Sequence, residues 1–266
     1  MENVTNIILN KDTPVAYDDA KHLYSAAGRR YVSASQLVEK FVNPFDSPEV
    51  AKRYAEKHGM TAEYWLNQWA TKNEKSKIRG NHIHDTNELI LQAKMIDRFN
   101  DHQLTVHADA VTEEDPWITR PDGIYTERKL WHHGYKIAGR ADKVILLSMP
   151  NFAESTTYET RTIRYAHIED YKTNERLDFE SYQFRNSSRK MMKPPLGHVM
   201  DCNIWHYYLQ LSTYMFMLEY QGFTPGTMTI IHYPHPSADN PNPKPIRYNV
   251  PYLKKEVLMM VKFINR

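Results

Sequence analysis

The chain has 266 residues, enough to bury a substantial core without covalent staples. Its single cysteine, Cys202, excludes an internal disulfide framework and any iron–sulfur or zinc site held by several thiolates, and suits a reducing, cytosolic compartment. Charge is near balance, with 34 Lys and Arg against 32 Asp and Glu, so attraction to a polyanion has to come from local patches. Mean hydropathy is negative and apolar runs stay far below the ~20 residues of a membrane span, so neither a span nor a signal peptide is expected. The 18 tyrosines suit core and rim positions first and base stacking second.

Without repeats or low-complexity tracts, one α/β domain of mixed α+β character is the simplest organisation for residues 1–266. From Arg30 to Phe41 the pattern predicts a short extended piece and then a helix capped by Ser33 or Ser35. Two more helices are expected over Ser47 to His58, opening Ser-Pro-Glu with Ser47 as cap, and over Thr61 to Lys77. Residues 1–78 thus read as a helical N-terminal part. A separate helix is expected from Gly80 to Phe99, with Ile83, Ile90, Ala93 and Ile96 forming its apolar stripe. His84 and Glu88, four apart, share one face of it.

The period then changes. Tyr135 to Leu147 and Thr160 to Thr173, rich in β-branched and aromatic residues, read as neighbouring strands joined by a polar loop, Met149 to Glu159. Arg185, Arg189, Lys190 and Lys193 form a basic segment that is either a phosphate-tracking loop or a solvated connector. Asn203 to Tyr220 is a long buried helix ending before Gly222, and Thr227 to Tyr233 a further strand. The central part of the domain then spans 79–233, the expected position of the functional site. A loop, Pro234 to Pro245, and an amphipathic helix, Pro251 to Ile264, fill 234–266. The expected architecture is a central mixed sheet flanked by helices.

Alternate side chains of a strand share a face, so Asp170 and Lys172 point the same way and Tyr171 the other. Asp142 on the neighbouring strand is placed to meet Asp170 across the sheet. Two carboxylates bind a hard cation such as Mg²⁺ together with a substrate phosphate, and an adjacent lysine orients water or stabilises charge on phosphorus. Each piece alone is weak: Asp-x-Lys is usually a solvated pair, and a lone His84 is usually an ordinary polar residue. His132-His133 and His82-x-His84 suggest zinc, yet residues two apart on a helix face different sides and no His-Glu-x-x-His is present.

The order Gly80-x-x-x-His84, Gly139-x-x-Asp142, Glu169-Asp170-Tyr171-Lys172-Thr173 and Gln210-x-x-x-Tyr214 resembles the RecB-like exonuclease branch of the PD-(D/E)xK phosphodiesterase superfamily. The resemblance runs from about Tyr31, with Val32-Ser33-Ala34-Ser35 similar to the family's opening segment, to about His232. It implies a restriction-endonuclease-like core and a metal-dependent deoxyribonuclease, an exonuclease acting on DNA ends or single strands with Mg²⁺ or Mn²⁺. In that scheme His84, Asp142, Asp170 and the Tyr171 carbonyl hold metal and Lys172 positions the attacking water. Gln210 and Tyr214 hold the geometry and contact DNA, with Arg189 and Lys190 as further substrate contacts and Glu88 supporting His84. Ala141 stands where the family name has proline, and the four cysteines of cluster-bearing relatives are missing. No phosphate-binding loop is present, so a helicase or recombination partner would be a separate chain. The resemblance also implies a bacterial, including phage-infected, cytoplasm. The alternatives are a DNA-binding or assembly protein that keeps the fold without catalysis, and a structure-specific endonuclease.

Overall fold

The computed structural model describes residues 9–107, 115–154, 160–184 and 187–266. Three short antiparallel strands open it: β1 (Ala16–Asp18), β2 (Leu23–Ala26) and β3 (Arg29–Ser33). The N-terminal part is therefore not purely helical. Helix α1 (Ala34–Glu39) starts at Ser33, whose hydroxyl accepts from Gln36 N at 3.1 Å while Gln36 Oε1 accepts from Ser33 N at 3.4 Å. This reciprocal capping selects Ser33 over Ser35. Helix α2 (Ser47–His58) is capped by Asp46, which accepts from Glu49 N at 3.1 Å, so Ser47 is the first helical residue rather than the cap. Gly59, at φ 72°, ends it.

Helix α3 (Ala62–Ala93) is one continuous rod of 32 residues, where the sequence predicts two helices divided before Gly80 and running on to Phe99. A glycine inside a helix costs only ~1 kcal/mol, too little to stop a long one. Here the missing side chain has a use: a Cβ on Gly80 would lie 3.4 Å from Thr173 Oγ1, so the helix passes close to a strand end. Beyond Ala93 the chain turns to strand, β4 (Ile96–Phe99), paired with β5 (His102–His107) through a two-residue turn in which Asn100 takes φ 51°.

Strands β6 (Gly123–His132), β7 (Ile137–Pro150) and β8 (Thr162–Lys172) form an antiparallel series; β9 (Thr224–His232) adds parallel to β8, and β10 (Ile246–Val250) antiparallel to β9. Of these, β6 and β10, like β1, β2, β4 and β5, are absent from the sequence-based expectation. Among the described residues, ten strands make one mixed sheet. One edge of β7 pairs with β6 along almost its whole length. Its other edge is shared: β3 takes Ile137 and Ala138, β8 takes Lys143 onward. Between them, residues 139–142 face the gap where β3 and β8 part, and the candidate site occupies that fork.

The sheet is covered by helices. Against one face pack α1, α4 (Asn203–Gln221) and α5 (Lys254–Ile264), enclosing Val144, Leu146, Ile168, Ile230, Leu211 and Met215. A smaller cluster of Leu91, Phe99, Leu104, Val106, Ile124, Ile145 and Leu147 lies under the end of α3. Alternate residues of β7 thus serve opposite cores, which explains its near-continuous apolar run. Among the described residues no helix is long and apolar enough to cross a membrane.

Candidate metal centre

Side chains from α3, β6, β7, β8 and α4 converge on a cavity of about 700 Å³ in the fork, lined by His84, Glu127, Asp142, Asp170, Lys172 and Tyr214 among others. Carrying the β7–β8 register one step past Lys143 and Glu169 sets Asp142 opposite Asp170, as the strand reading predicts. Asp142 Oδ2 accepts from Tyr171 N at 2.7 Å and lies 3.4 Å from His84 Nδ1. Lys172 Nζ contacts Asp170 directly and sits 4.7 Å from the centre of the Tyr207 ring. Asp170 is 1 % exposed.

The electrostatics divide the two acids. Burial opposes ionisation of Asp142, but hydrogen bonding and charge from His84, then Lys172 and the Tyr171 N–H, hold its carboxyl below the usual range. Asp170 has no such surplus: burial and the Asp142 charge push it up to about 6 despite Lys172. Burial pulls the His84 imidazole down, yet Asp142 outweighs it and the net shift is upward. Lys172 likewise stays above its ordinary value because Asp170 and Asp142 overcome its burial.

The sequence reading missed Glu127. Thr126 pairs with Lys143 and Arg128 with Ala141, so Glu127 lies opposite Asp142 on the other edge of β7. Ligand atoms of His84, Glu127 and Asp142 lie within 4.8 Å of one another. Glu127 Oε2 also accepts from Arg140 Nε at 2.8 Å, and its backbone holds φ 49°, a costly conformation inside a strand. Burial and the Asp142 charge push its carboxyl up to about 7. No spacing motif marks Glu127; reading β6 as a strand hairpinned to β7 would have found it.

On α4, Gln210 Nε2 donates to Tyr214 Oη at 2.9 Å, and both line the cavity. A Cβ on Gly139 would come 2.5 Å from Tyr214 Cε1, so glycine lets this ring lie on the strand. Glu88 lines the cavity but accepts from Gln92 Nε2 at 2.9 Å, and no hydrogen bond to His84 occurs among the described residues. Arg189 and Lys190 are not brought to the cavity. Arg189 donates to Ser181 O at 2.9 Å and pairs with Glu180; Lys190 Nζ lies 3.0 Å from buried Asp201. Arg185 lies outside the described residues. His82 is exposed, His132 stacks between Phe216 and Tyr220, and His133 bonds Tyr31, so these histidines have separate settings.

Carboxylate and imidazole donors this close, with several negative charges confined among them, suit a hard divalent cation. No protein-family model matches the chain, and no curated protein matches its sequence.

Proposed function

We propose that the chain is a metal-dependent deoxyribonuclease of the RecB-like PD-(D/E)xK type, with a restriction-endonuclease-like core. Its reaction is hydrolysis of phosphodiester bonds, as an exonuclease on DNA ends or single strands. The observation that carries this is the convergence of His84, Asp142, Asp170 and Lys172 from three elements onto one cavity, with Gln210 and Tyr214 beside them. The donors suit Mg²⁺ or Mn²⁺, which when bound polarises a phosphoryl oxygen and acidifies a coordinated water.

His84, Glu127, Asp142 and Asp170 would hold the cation, with the Tyr171 carbonyl as a further ligand. Lys172, kept protonated by the two aspartates, orients the attacking water by hydrogen bonding and places positive charge where the phosphorane gathers negative charge. The water oxygen bonds to phosphorus as the bridging P–O bond breaks, leaving a phosphomonoester and a hydroxyl. Gln210 and Tyr214, locked to each other, fix one side of the scissile group.

The reading is tested with end-labelled single- and double-stranded DNA, with Mg²⁺ and with chelator. Asp170→Ala and Lys172→Ala are each expected to slow cleavage by about 10²–10³-fold. Undiminished cleavage by both would overturn the assignment. A closed circular substrate stays intact if the enzyme requires ends and is cut if it is an endonuclease.

A further inference from the structure

The hairpin of α2 and α3 has little core beneath it: Ala51 is the buried residue of α2 and Leu91 that of α3. What joins the two helices is aromatic. Phe45 meets Trp69 at 5.6 Å between ring centres, and Tyr54 meets Trp65 at 5.3 Å and Trp69 at 5.6 Å. Internal packing explains one side of these rings and leaves the other: Phe45 is 65 % exposed, Tyr54 42 % and Tyr64 40 %. The hairpin also carries Lys52, Arg53, Lys57, Lys75 and Lys77 with no ion pair among the described residues, balanced by the acids Asp46, Glu49, Glu56, Glu63 and Glu74.

This surface is continuous with the candidate metal centre. The i, i+4 ridge of α3 runs Trp65, Trp69, Asn73, Lys77, Asn81, Asp85. Asn73 and Lys77 line a groove of about 800 Å³ between α3 and the segment after β8, where Lys72 pairs with Glu175 and Arg176 with Asp178. Asn81 and Asp85 line the cavity itself. From Trp65 to Asn81 the ridge spans ~24 Å at the helical rise. Exposed rings packed on the start of α3, a polar groove beside Lys77 and the candidate ligand His84 thus follow one another along the helix.

We propose that the α2–α3 hairpin is a landing surface for single-stranded nucleic acid. The strand stacks its bases on Phe45, Tyr54 and Tyr64 and leads its phosphates past Lys77 toward His84. The inference rests on the nuclease reading for the strand's direction of travel. A duplex is the poorer fit, because its bases are already stacked and offer no face to these rings.

Binding of oligothymidylate to the full chain in EDTA, where no cleavage occurs, isolates this surface. Trp65 and Trp69 report it by fluorescence quenching in a Trp205→Phe background, since Trp117 and Trp131 are buried and Trp205 on α4 is only partly so. The double variant Phe45→Ser, Tyr64→Ser removes two exposed rings but leaves the Tyr54 contacts with Trp65 and Trp69 that join the helices, and is expected to weaken binding by about five-fold or more with an unchanged circular dichroism spectrum. In a second variant, Lys77→Gln, the slope of log affinity against log salt is expected to fall by about 0.7. Unaltered affinity in the first variant together with an unaltered salt slope in the second overturns the proposal. So does wild-type binding of duplex as tight as of single strands, or sedimentation showing that the rings bury a second copy. Cleavage in Mg²⁺ with normal binding by both variants removes the hairpin inference alone. Hairpin-dependent binding without cleavage under any divalent cation removes the nuclease reading alone.

Discussion

Replacing Glu127 with glutamine removes one of the negative charges packed around Asp142 and keeps the side chain's shape, so the metal-free protein is expected to gain stability. Burial and Asp142 raise the Glu127 carboxyl from 4.5 to about 7. An acid whose folded pKa is raised destabilises the fold once ionised. The penalty is absent below pH 4.5, grows through the interval and is complete above about 7, where it reaches on the order of 3 kcal/mol. The attraction of Arg140 is already contained in that shift, and the amide that replaces the carboxylate costs about 1 kcal/mol of its own desolvation. The net gain of about 2 kcal/mol corresponds to ~4–8 °C in Tm for a domain of this size. Metal reverses the sign. At a hundredfold excess over Kd, a cation stabilises the wild type by about 2.7 kcal/mol, and a neutral amide in place of the carboxylate is a poorer ligand. Calorimetry at pH 8 in EDTA and in MnCl₂ therefore has to show Glu127→Gln above the wild type without metal and a smaller metal-induced rise with it. At pH 5 the metal-free difference has to shrink. A variant that melts with the wild type in EDTA and responds equally to Mn²⁺ would refute the placement of Glu127 in the charge cluster.

Gly139→Ala sets a Cβ 2.5 Å from Tyr214 Cε1 and should lower stability by about 1–3 kcal/mol in urea unfolding, while displacing the Gln210–Tyr214 pair enough to slow cleavage. Lys190→Ala leaves buried Asp201 with Asn43 and His206 but without its ammonium, so a stability loss of about 1–3 kcal/mol is expected, with DNA affinity in a filter-binding assay unchanged. His132 and His167 are both held down to about 4 by burial, and His167 Nδ1 accepts from Thr227 N at 2.9 Å, a bond open only to the neutral ring. The stability they contribute is fully present above pH 6.5 and lost as pH falls toward 4. After allowance for partial exposure this is about 1–2 kcal/mol each, and denaturant midpoints measured between about pH 7 and pH 5 should fall accordingly.

Local chemistry made much of the site legible from sequence. Asp170 and Lys172 share a face because strand side chains alternate, β7 and β8 announce themselves by β-branched runs, and α4 stops where Gly222 adopts φ 106°. Ser33, with Gln36 three residues on, carries the cap of α1 in its own spacing. What tertiary structure alone decided was non-local. The fork that opens the cavity exists because β3 and β8 use the same edge of β7, and the β3–β7 pairing joins segments more than a hundred residues apart. Glu127 became a neighbour of Asp142 only through the β6–β7 register, and a single charged residue in a strand has no periodicity to betray it. Gly80 reads as a break by propensity, yet packing against Thr173 over-rides a cost of ~1 kcal/mol and yields the unbroken α3. Arg189 and Lys190 illustrate the same limit from the other side. Their charge suggested phosphate contacts, but Glu180 and Asp201, supplied by the fold, already engage them. Residue identity determines what a side chain can do; which partner it meets depends on contacts that close only when distant segments pack.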